Sequence, residues 1–128
     1  MAKRYLIDSN AAVDFLGGKL PERGKQLMLK IRPEISIITS IEILSKEEMS
    51  IPELQKYKAF INSSIVYTEI SEEIADQTIN IRKKYGLKTP DAIIAATAIV
   101  HKLVLISRNE RDFGGVHQLV LINPWQIK

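Results

Sequence analysis

The sequence predicts a three-layer α/β/α sandwich around a largely parallel sheet, and three observations lead to this fold class. Short apolar segments alternate with segments of helical periodicity, which is typical of βαβ units. Residues 103–106 are continuously apolar, as expected of a strand covered on both faces. Residues 92–100 are apolar on almost every face of a predicted helix, which indicates that this helix is buried.

Apolar spacing then places the individual elements. Short β-type runs predict strands at residues 5–7, 35–38, 65–67, 103–106 and 119–122, with a polar loop at 107–115. Helical spacing predicts helices at residues 9–16, 21–31, 39–44, 52–61, 71–85 and 89–101. Ser9 or Asn10 is expected to cap the first helix, and Gly17 to end it. Thr39 and Glu42 match a capping box at the start of the third helix.

The helix predicted at residues 89–101 begins with several start signals. Thr89 is a suitable N-cap, and Pro90 fits the first position, because the N–H that proline lacks has no helical partner there. Asp91 then lies in the first turn, where the helix dipole favours a carboxylate. A charged side chain at the entrance of a buried helix needs a partner for its oxygens.

Length and composition predict a single domain over residues 1–128. A hydrophobic content of 45% and a charged content of 26% are ordinary for a soluble globular protein. The chain has no cysteine, which excludes disulfides and thiolate metal sites and favours an intracellular setting. Asp8 follows the start too soon for a signal peptide, and no apolar run approaches the ~20 residues of a membrane span. We therefore expect a cytoplasmic protein.

Four acidic residues are expected at one edge of the sheet. In parallel sheets, sites form beyond the carboxyl ends of the strands. Asp8 and Glu42 follow the first two predicted strands, Asp112 follows the strand at 103–106, and Asp91 opens the helix that leads into that strand. Crowded carboxylates repel one another, and a set of oxygen ligands favours Mg²⁺ or Mn²⁺ over Zn²⁺. Such ions activate water and stabilise charge on a phosphodiester.

Each acid also has a purely structural explanation. Asp8 fits a turn or a helix cap, Glu42 fits its capping box, and Asp91 fits a partner for the helix dipole. Asp112 fits a loop acid beside two arginines. Four such explanations coinciding at one edge are less plausible together than any one alone, which favours a shared site.

Four segments in order resemble the motifs of the PIN-domain ribonucleases, and their spacing and the overall length resemble the VapC toxins of type II toxin–antitoxin modules. The segments are residues 6–10 (LIDSN), 39–42 (TSIE), 89–96 (TPDAIIAA) and 107–113 (SRNERDF). The resemblance covers essentially the whole chain. It implies that Asp8, Glu42, Asp91 and Asp112 are the catalytic, metal-binding acids, and that Ser9, Ser107 and Asn109 are supporting polar residues. It also implies a sheet with the first strand central, a homodimer, and inhibition by a VapB-like antitoxin.

Basic residues near the same edge are candidates for contact with RNA. The net charge is only +3, which does not by itself indicate a nucleic-acid partner. With the acids gathered at the metal site, however, Lys88, Arg108 and Arg111 are placed to hold flanking phosphates. The sequence thus predicts a Mg²⁺- or Mn²⁺-dependent endoribonuclease toxin. Two alternatives stay open: a housekeeping PIN nuclease of RNA maturation, and a catalytically silent metal-binding interaction module.

Overall fold

The computed structural model describes residues 3–128, and these residues contain five strands and seven helices. The strands are β1 (Tyr5–Ile7), β2 (Glu34–Ser36), β3 (Ile65–Tyr67), β4 (Val104–Ile106) and β5 (Leu121–Ile122). The helices are α1 (Ser9–Leu16), α2 (Glu22–Lys30), α3 (Ile37–Leu44), α4 (Ile51–Asn62), α5 (Glu72–Tyr85), α6 (Thr89–Val100) and α7 (Glu110–Phe113). All neighbouring strands are parallel, in the order β3-β2-β1-β4-β5, so the predicted fold class and the central position of the first strand are confirmed.

Helices cover both faces of the sheet and form the two outer layers. Successive residues of a strand point to opposite faces. Leu6 of β1 accordingly packs in the cluster formed with α5 and α6, whereas Ile7 packs in the cluster formed with α1, α3 and α4. Tyr57 and Phe60, three residues apart on α4, are both buried.

Helix α6 is buried because it carries small and apolar residues around its whole circumference. Ala92, Ile94 and Ala95 are fully inaccessible to solvent. The prediction that Thr89 caps this helix is wrong by one position, because Lys88 holds the extended N-cap conformation and Thr89 is already helical. Within residues 3–128 the Lys88 side chain makes no capping hydrogen bond. Asp91 lies in the first turn, as predicted.

Two other predicted caps are corrected by the structure. The N-cap of α1 is Asp8 itself, whose carboxylate accepts a hydrogen bond from the Ser9 backbone N–H. The N-cap of α3 is Ser36, whose hydroxyl accepts from the backbone N–H of Ile38 at 3.0 Å. The second strand therefore ends at Ser36 rather than at residue 38, and Glu42 lies inside the helix rather than in a capping box.

The carboxyl-terminal part of the chain departs from the prediction in two places. The polar loop expected at residues 107–115 contains the short helix α7, capped by the Asn109 side chain. The last strand pairs with β4 only through Leu121 and Ile122. Beyond it, Pro124 packs so closely on α2 that a Cβ at Gly24 would lie 2.0 Å from the Pro124 carbonyl oxygen. Within residues 3–128, no helix is both long and apolar enough to cross a membrane.

Candidate functional site

Asp8 lies at the carboxyl end of the central strand and is the most buried of the four predicted acids. Its side chain has 4% of its surface exposed. Oδ1 accepts from the Ser9 backbone N–H at 2.8 Å, and Oδ2 accepts from Asn10 Nδ2 at 2.9 Å and from Ser107 Oγ at 2.7 Å. Because Ile7 of β1 is in register with Ile106 of β4, the residues that follow the two strands meet at this edge.

Glu42 reaches the same edge from α3. It lies on the exposed side of the helix, and its Oε1 accepts a hydrogen bond from Ser9 Oγ at 2.6 Å. Ser9 also lies 3.4 Å from the Thr39 hydroxyl. The structure thus joins Ser9 to Glu42 and Ser107 to Asp8, so two of the predicted supporting residues contact two of the predicted acids.

Asp91 and Asp112 complete the edge from α6 and α7. Asp91 is partly buried in the first turn of α6, whereas Asp112 is exposed on α7. Asn109 holds Asp112 in place, because its Nδ2 donates to Asp112 Oδ2 at 3.0 Å and its Oδ1 accepts from the Asp112 backbone N–H at 3.2 Å. The backbone N–H of Asn109 in turn donates to Ser107 Oγ at 3.1 Å.

The four carboxylates interact electrostatically. Burial raises the pKa of Asp8 from its ordinary 3.8 to about 6, against the opposing effect of the hydrogen bonds from Ser107 and Ser9. The charges of Asp91 and Glu42 raise this pKa further. Burial also raises the pKa of Asp91, and the charges of Asp112 and Glu42 add to the effect. Each predicted acid therefore takes part in at least one of these charge interactions.

The donor set suits a hard divalent cation. The four acids and the hydroxyl and amide groups around them offer only oxygen ligands, which Mg²⁺ and Mn²⁺ prefer, and the chain has no cysteine. Among residues 3–128, no three His, Asp or Glu side chains already converge as a group that could hold a metal ion. The carboxylates are thus close enough to repel one another but not arranged as a finished cage.

Two of the three basic candidates interact with residues of this edge, one through its charge and one through a hydrogen bond. The charge of Lys88 lowers the pKa of Asp91, in opposition to the acids. The backbone N–H of Arg108 donates to Asn10 Oδ1 at 3.2 Å. Arg111 is exposed on α7, directly before Asp112 in the chain.

The sequence predicts only a capping role for Asn10, and the structure gives this residue a larger one. Its Nδ2 donates to Asp8 Oδ2 and to Ser107 Oγ, at 2.9 and 3.2 Å, while its Oδ1 accepts from the backbone of Arg108. Asn10 thereby fastens the segment after β4 to the start of α1. The signal available in the sequence was its place two residues after Asp8, in the first turn of the helix that Asp8 caps.

Comparison with known proteins gives consistent results. The sequence model of the PIN domain family matches residues 5–117. A chain of the toxin–antitoxin complex from Klebsiella pneumoniae is 32% identical, with a TM-score of 0.77, over 96% of this chain and 99% of that one. A chain of VapBC2 from Rickettsia felis, bound to a promoter DNA fragment, is 20% identical with a TM-score of 0.78, over 93% and 97% of the two chains. A chain of DNA-bound VapBC from Salmonella typhimurium is 21% identical with a TM-score of 0.79, over 96% and 99%. No curated protein sequence matches significantly.

Proposed function

Because the chain belongs to the PIN-domain family, whose members are nucleases, we propose that it is the toxin of a type II toxin–antitoxin system. In this proposal it hydrolyses RNA phosphodiester bonds with the help of Mg²⁺ or Mn²⁺. Its 32% identity to a chain of the Klebsiella pneumoniae toxin–antitoxin complex supports the toxin assignment. The proposed partners are an RNA substrate, a VapB-like antitoxin and a second copy of the chain, in the cytoplasm.

One observation carries the proposal: acids from four separate segments interact at the carboxyl edge of a parallel sheet. Asp8 follows β1, Glu42 lies in the helix after β2, and Asp91 and Asp112 lie before and after β4. In addition to burial, the charges of neighbouring acids raise the pKa values of Asp8 and Asp91. Independent helix caps would not need to share one location. Glu42 in particular lies in the last turn of α3, far from the N-cap Ser36, so it does not cap the start of that helix.

The same four acids are the proposed metal ligands. When bound, Mg²⁺ or Mn²⁺ would lower the pKa of a water molecule and neutralise negative charge on the phosphodiester. The chain's own part is to orient the acids. Ser9 holds the Glu42 carboxylate, Ser107 holds Asp8, and Asn109 holds Asp112. Without a metal ion, burial raises the pKa of Asp8 to about 6, so this carboxyl is partly protonated near pH 6. It must lose this proton to act as a ligand.

The basic side chains that border the four acids, here called the rim of the site, are proposed to hold the RNA backbone. Lys88, Arg108 and Arg111 border the acids, and each is exposed. Phosphate contacts of this kind provide affinity that does not depend on sequence and that weakens as salt increases. The identity of the cleaved RNA therefore has to come from contacts to its bases rather than from these three residues.

The test is RNA cleavage by purified protein with Mg²⁺ or Mn²⁺ and with EDTA. We expect cleavage with either metal and none with EDTA. Asp91→Asn protein, prepared in the same way, should be inactive, which excludes a contaminating nuclease. Glu53→Gln removes a carboxylate from an exposed ion pair with Lys46, outside the proposed site, and should retain activity. Equal cleavage in EDTA would refute the metal mechanism.

Expression in growing cells separates a toxin from the alternatives. A toxin should arrest growth, and co-expression of an antitoxin encoded by a neighbouring reading frame should restore it. Cleavage without growth arrest would favour a housekeeping nuclease. Binding of Mg²⁺ without cleavage of any RNA would favour an interaction module.

A further inference from the structure

A buried aspartate outside the proposed metal site joins three segments of the chain. Asp14 lies on α1 and has 4% of its surface exposed. Its Oδ2 accepts a hydrogen bond from Trp125 Nε1 at 2.9 Å, near the carboxyl terminus. Arg108 Nη1 approaches both carboxylate oxygens, at 3.3 and 3.2 Å, from the segment that follows β4. Asp14 thus connects the helix that Asp8 caps with the carboxyl terminus and with the rim.

A carboxylate at this position is not explained by stability alone. Burial of a charge is unfavourable unless it is paired, and well-packed apolar residues often replace buried ion pairs with no loss of stability. The neighbouring α1 residues Ala11 and Ala12 are fully buried apolar residues, so this helix packs without buried charge elsewhere. Both partners of Asp14 come from distant parts of the sequence. The effect of Asp14 is therefore to fix the position of another group.

Arg108 is the partner whose position matters for the site. It directly follows Ser107, whose hydroxyl donates to Asp8, and its own backbone N–H donates to Asn10. Its side chain remains 54% exposed while it contacts Asp14. A guanidinium has five N–H donors in a rigid plane, and Asp14 engages Nη1. The donors on Nε and Nη2 can therefore bind a further acceptor, and their planar arrangement matches a phosphate.

We propose that Asp14 is a positioning residue that orients the Arg108 guanidinium toward a phosphate of the bound RNA, next to Asp8. Trp125 supports it by donating a hydrogen bond to Asp14 Oδ2. An arginine restrained in advance loses less side-chain freedom when it binds, so affinity rises without a new contact. This assignment rests on the proposed function, because it requires that RNA bind at the carboxyl edge of the sheet.

The test measures RNA binding without cleavage. Fluorescence anisotropy of a labelled, mixed-sequence single-stranded RNA is recorded across a salt series, with every variant in the Asp91→Asn background. A mixed sequence suffices because phosphate contacts do not depend on sequence. Arg108→Gln should weaken binding and reduce the salt slope by about one phosphate contact. Asp14→Asn keeps the size of the side chain and removes its charge. It should weaken binding about threefold to tenfold, which lies within the range of interaction energies between neighbouring residues.

Non-additivity distinguishes positioning from a general loss of stability. The double variant Asp14→Asn/Arg108→Gln should bind no more weakly than Arg108→Gln alone, because Asp14 acts through Arg108. Glu53→Gln breaks an exposed ion pair of similar length and should leave binding unchanged. Trp125 is the single tryptophan of the chain, and it is hydrogen-bonded to Asp14, the partner of Arg108. RNA should therefore change the tryptophan fluorescence of the parent protein, which carries only Asp91→Asn, but not that of the variant that also carries Arg108→Gln.

Three results would overturn the assignment. The first is wild-type affinity and salt slope in Asp14→Asn, even if its melting temperature falls. The second is additive loss in the double variant. The third applies if Asp14→Asn does not fold, and it is wild-type affinity in Trp125→Phe. This variant keeps an aromatic ring but lacks the N–H that binds Asp14. A parent protein that binds no RNA would refute the proposed function as well, whereas the first three results leave that function standing.

Discussion

Substitution of Asp8 by asparagine measures how far ionisation of this buried carboxylate lowers the free energy of unfolding of the metal-free protein. Burial raises the pKa of this group from 3.8 to about 6, although hydrogen bonds from Ser107 and Ser9 favour the ionised form. One pKa unit corresponds to about 1.4 kcal/mol, so the difference between the unfolded and folded values corresponds to about 3 kcal/mol. This is a large fraction of the free energy of unfolding of a typical domain.

The sign of the effect follows from proton binding. Between about pH 4 and pH 6, folded protein keeps a proton on Asp8 that unfolded protein has released. The free energy of unfolding therefore falls as pH rises through this window and then levels off. Asparagine does not ionise. The stability of Asp8→Asn relative to wild type should accordingly increase by about 2.4 kcal/mol from pH 4 to pH 7, because at pH 4 unfolded Asp8 still holds part of its own proton.

The assay is urea unfolding in EDTA at a series of pH values, for wild type and variant in parallel. Subtraction of the two curves cancels most other titrating groups. Loss of the hydrogen bonds to Asp8 lowers the variant's stability at every pH but does not change the slope of the difference. Ser107→Ala serves as a second probe. Because the Ser107 hydroxyl favours ionised Asp8, its removal should raise the pKa of Asp8 and extend the window to higher pH.

A difference that does not change with pH would refute this reasoning, because it would mean that Asp8 ionises as easily in folded protein as in unfolded protein. A difference of opposite slope would mean that the hydrogen bonds outweigh burial. Glu53→Gln, measured in the same buffers, shows what removal of an exposed, paired carboxylate does to the curve.

Two further predictions concern the rim and the carboxyl terminus. Lys88→Ala should weaken RNA binding and reduce the salt slope by about one, and an unchanged slope would make Lys88 an ordinary solvated side chain. Gly24→Ala should lower stability by about 1–3 kcal/mol in thermal melts, because the new Cβ would lie 2.0 Å from the Pro124 carbonyl oxygen. Gly115→Ala has no atom within 4 Å of the new Cβ, and it is the matched control.

The fold could be predicted from the sequence because its elements differ in periodicity. The apolar runs of β1 and β4 and the all-round apolar α6 occur where periodicity placed them, and the parallel sheet follows from their alternation. The order of the strands did not follow from any local pattern, since pairing depends on contacts distant in sequence. Only the central position of the first strand was predicted, and that prediction came from the family resemblance.

Local errors arose where one residue serves two purposes. Asp8 and Ser36 each lie at the end of a strand and cap the next helix, so both N-caps lie one to three residues before the expected ones. A serine or an acid after an apolar run is compatible with several starts, and the choice depends on which N–H the side chain reaches. The roles of Asn10 and Asp14 were missed for a related reason. Their partners, Ser107, Arg108 and Trp125, lie about a hundred residues away.

The last prediction tests whether the four acids bind one common ion. Ligands that bind only folded protein stabilise it, by about 2.7 kcal/mol at a hundredfold excess over the dissociation constant. Mg²⁺ should therefore raise the melting temperature of wild type. Asp8→Asn, Glu42→Gln and Asp91→Asn should each lose most of this increase. Asp112→Asn should lose the least, because Asp112 is exposed and lies on the four-residue helix α7.

The response to Mg²⁺ and the stability in EDTA have to be judged together. Removal of one charge from a repelling cluster leaves metal-free protein unchanged or more stable at low salt, where screening is weak. Removal of a helix-dipole partner instead lowers stability by a few tenths to ~1 kcal/mol whether or not metal is present. A variant that is destabilised in EDTA and keeps the full response to Mg²⁺ is therefore not a ligand. For Asp91, which lies in the first turn of α6, this outcome would restore the explanation as a helix-dipole partner and remove Asp91 from the proposed site.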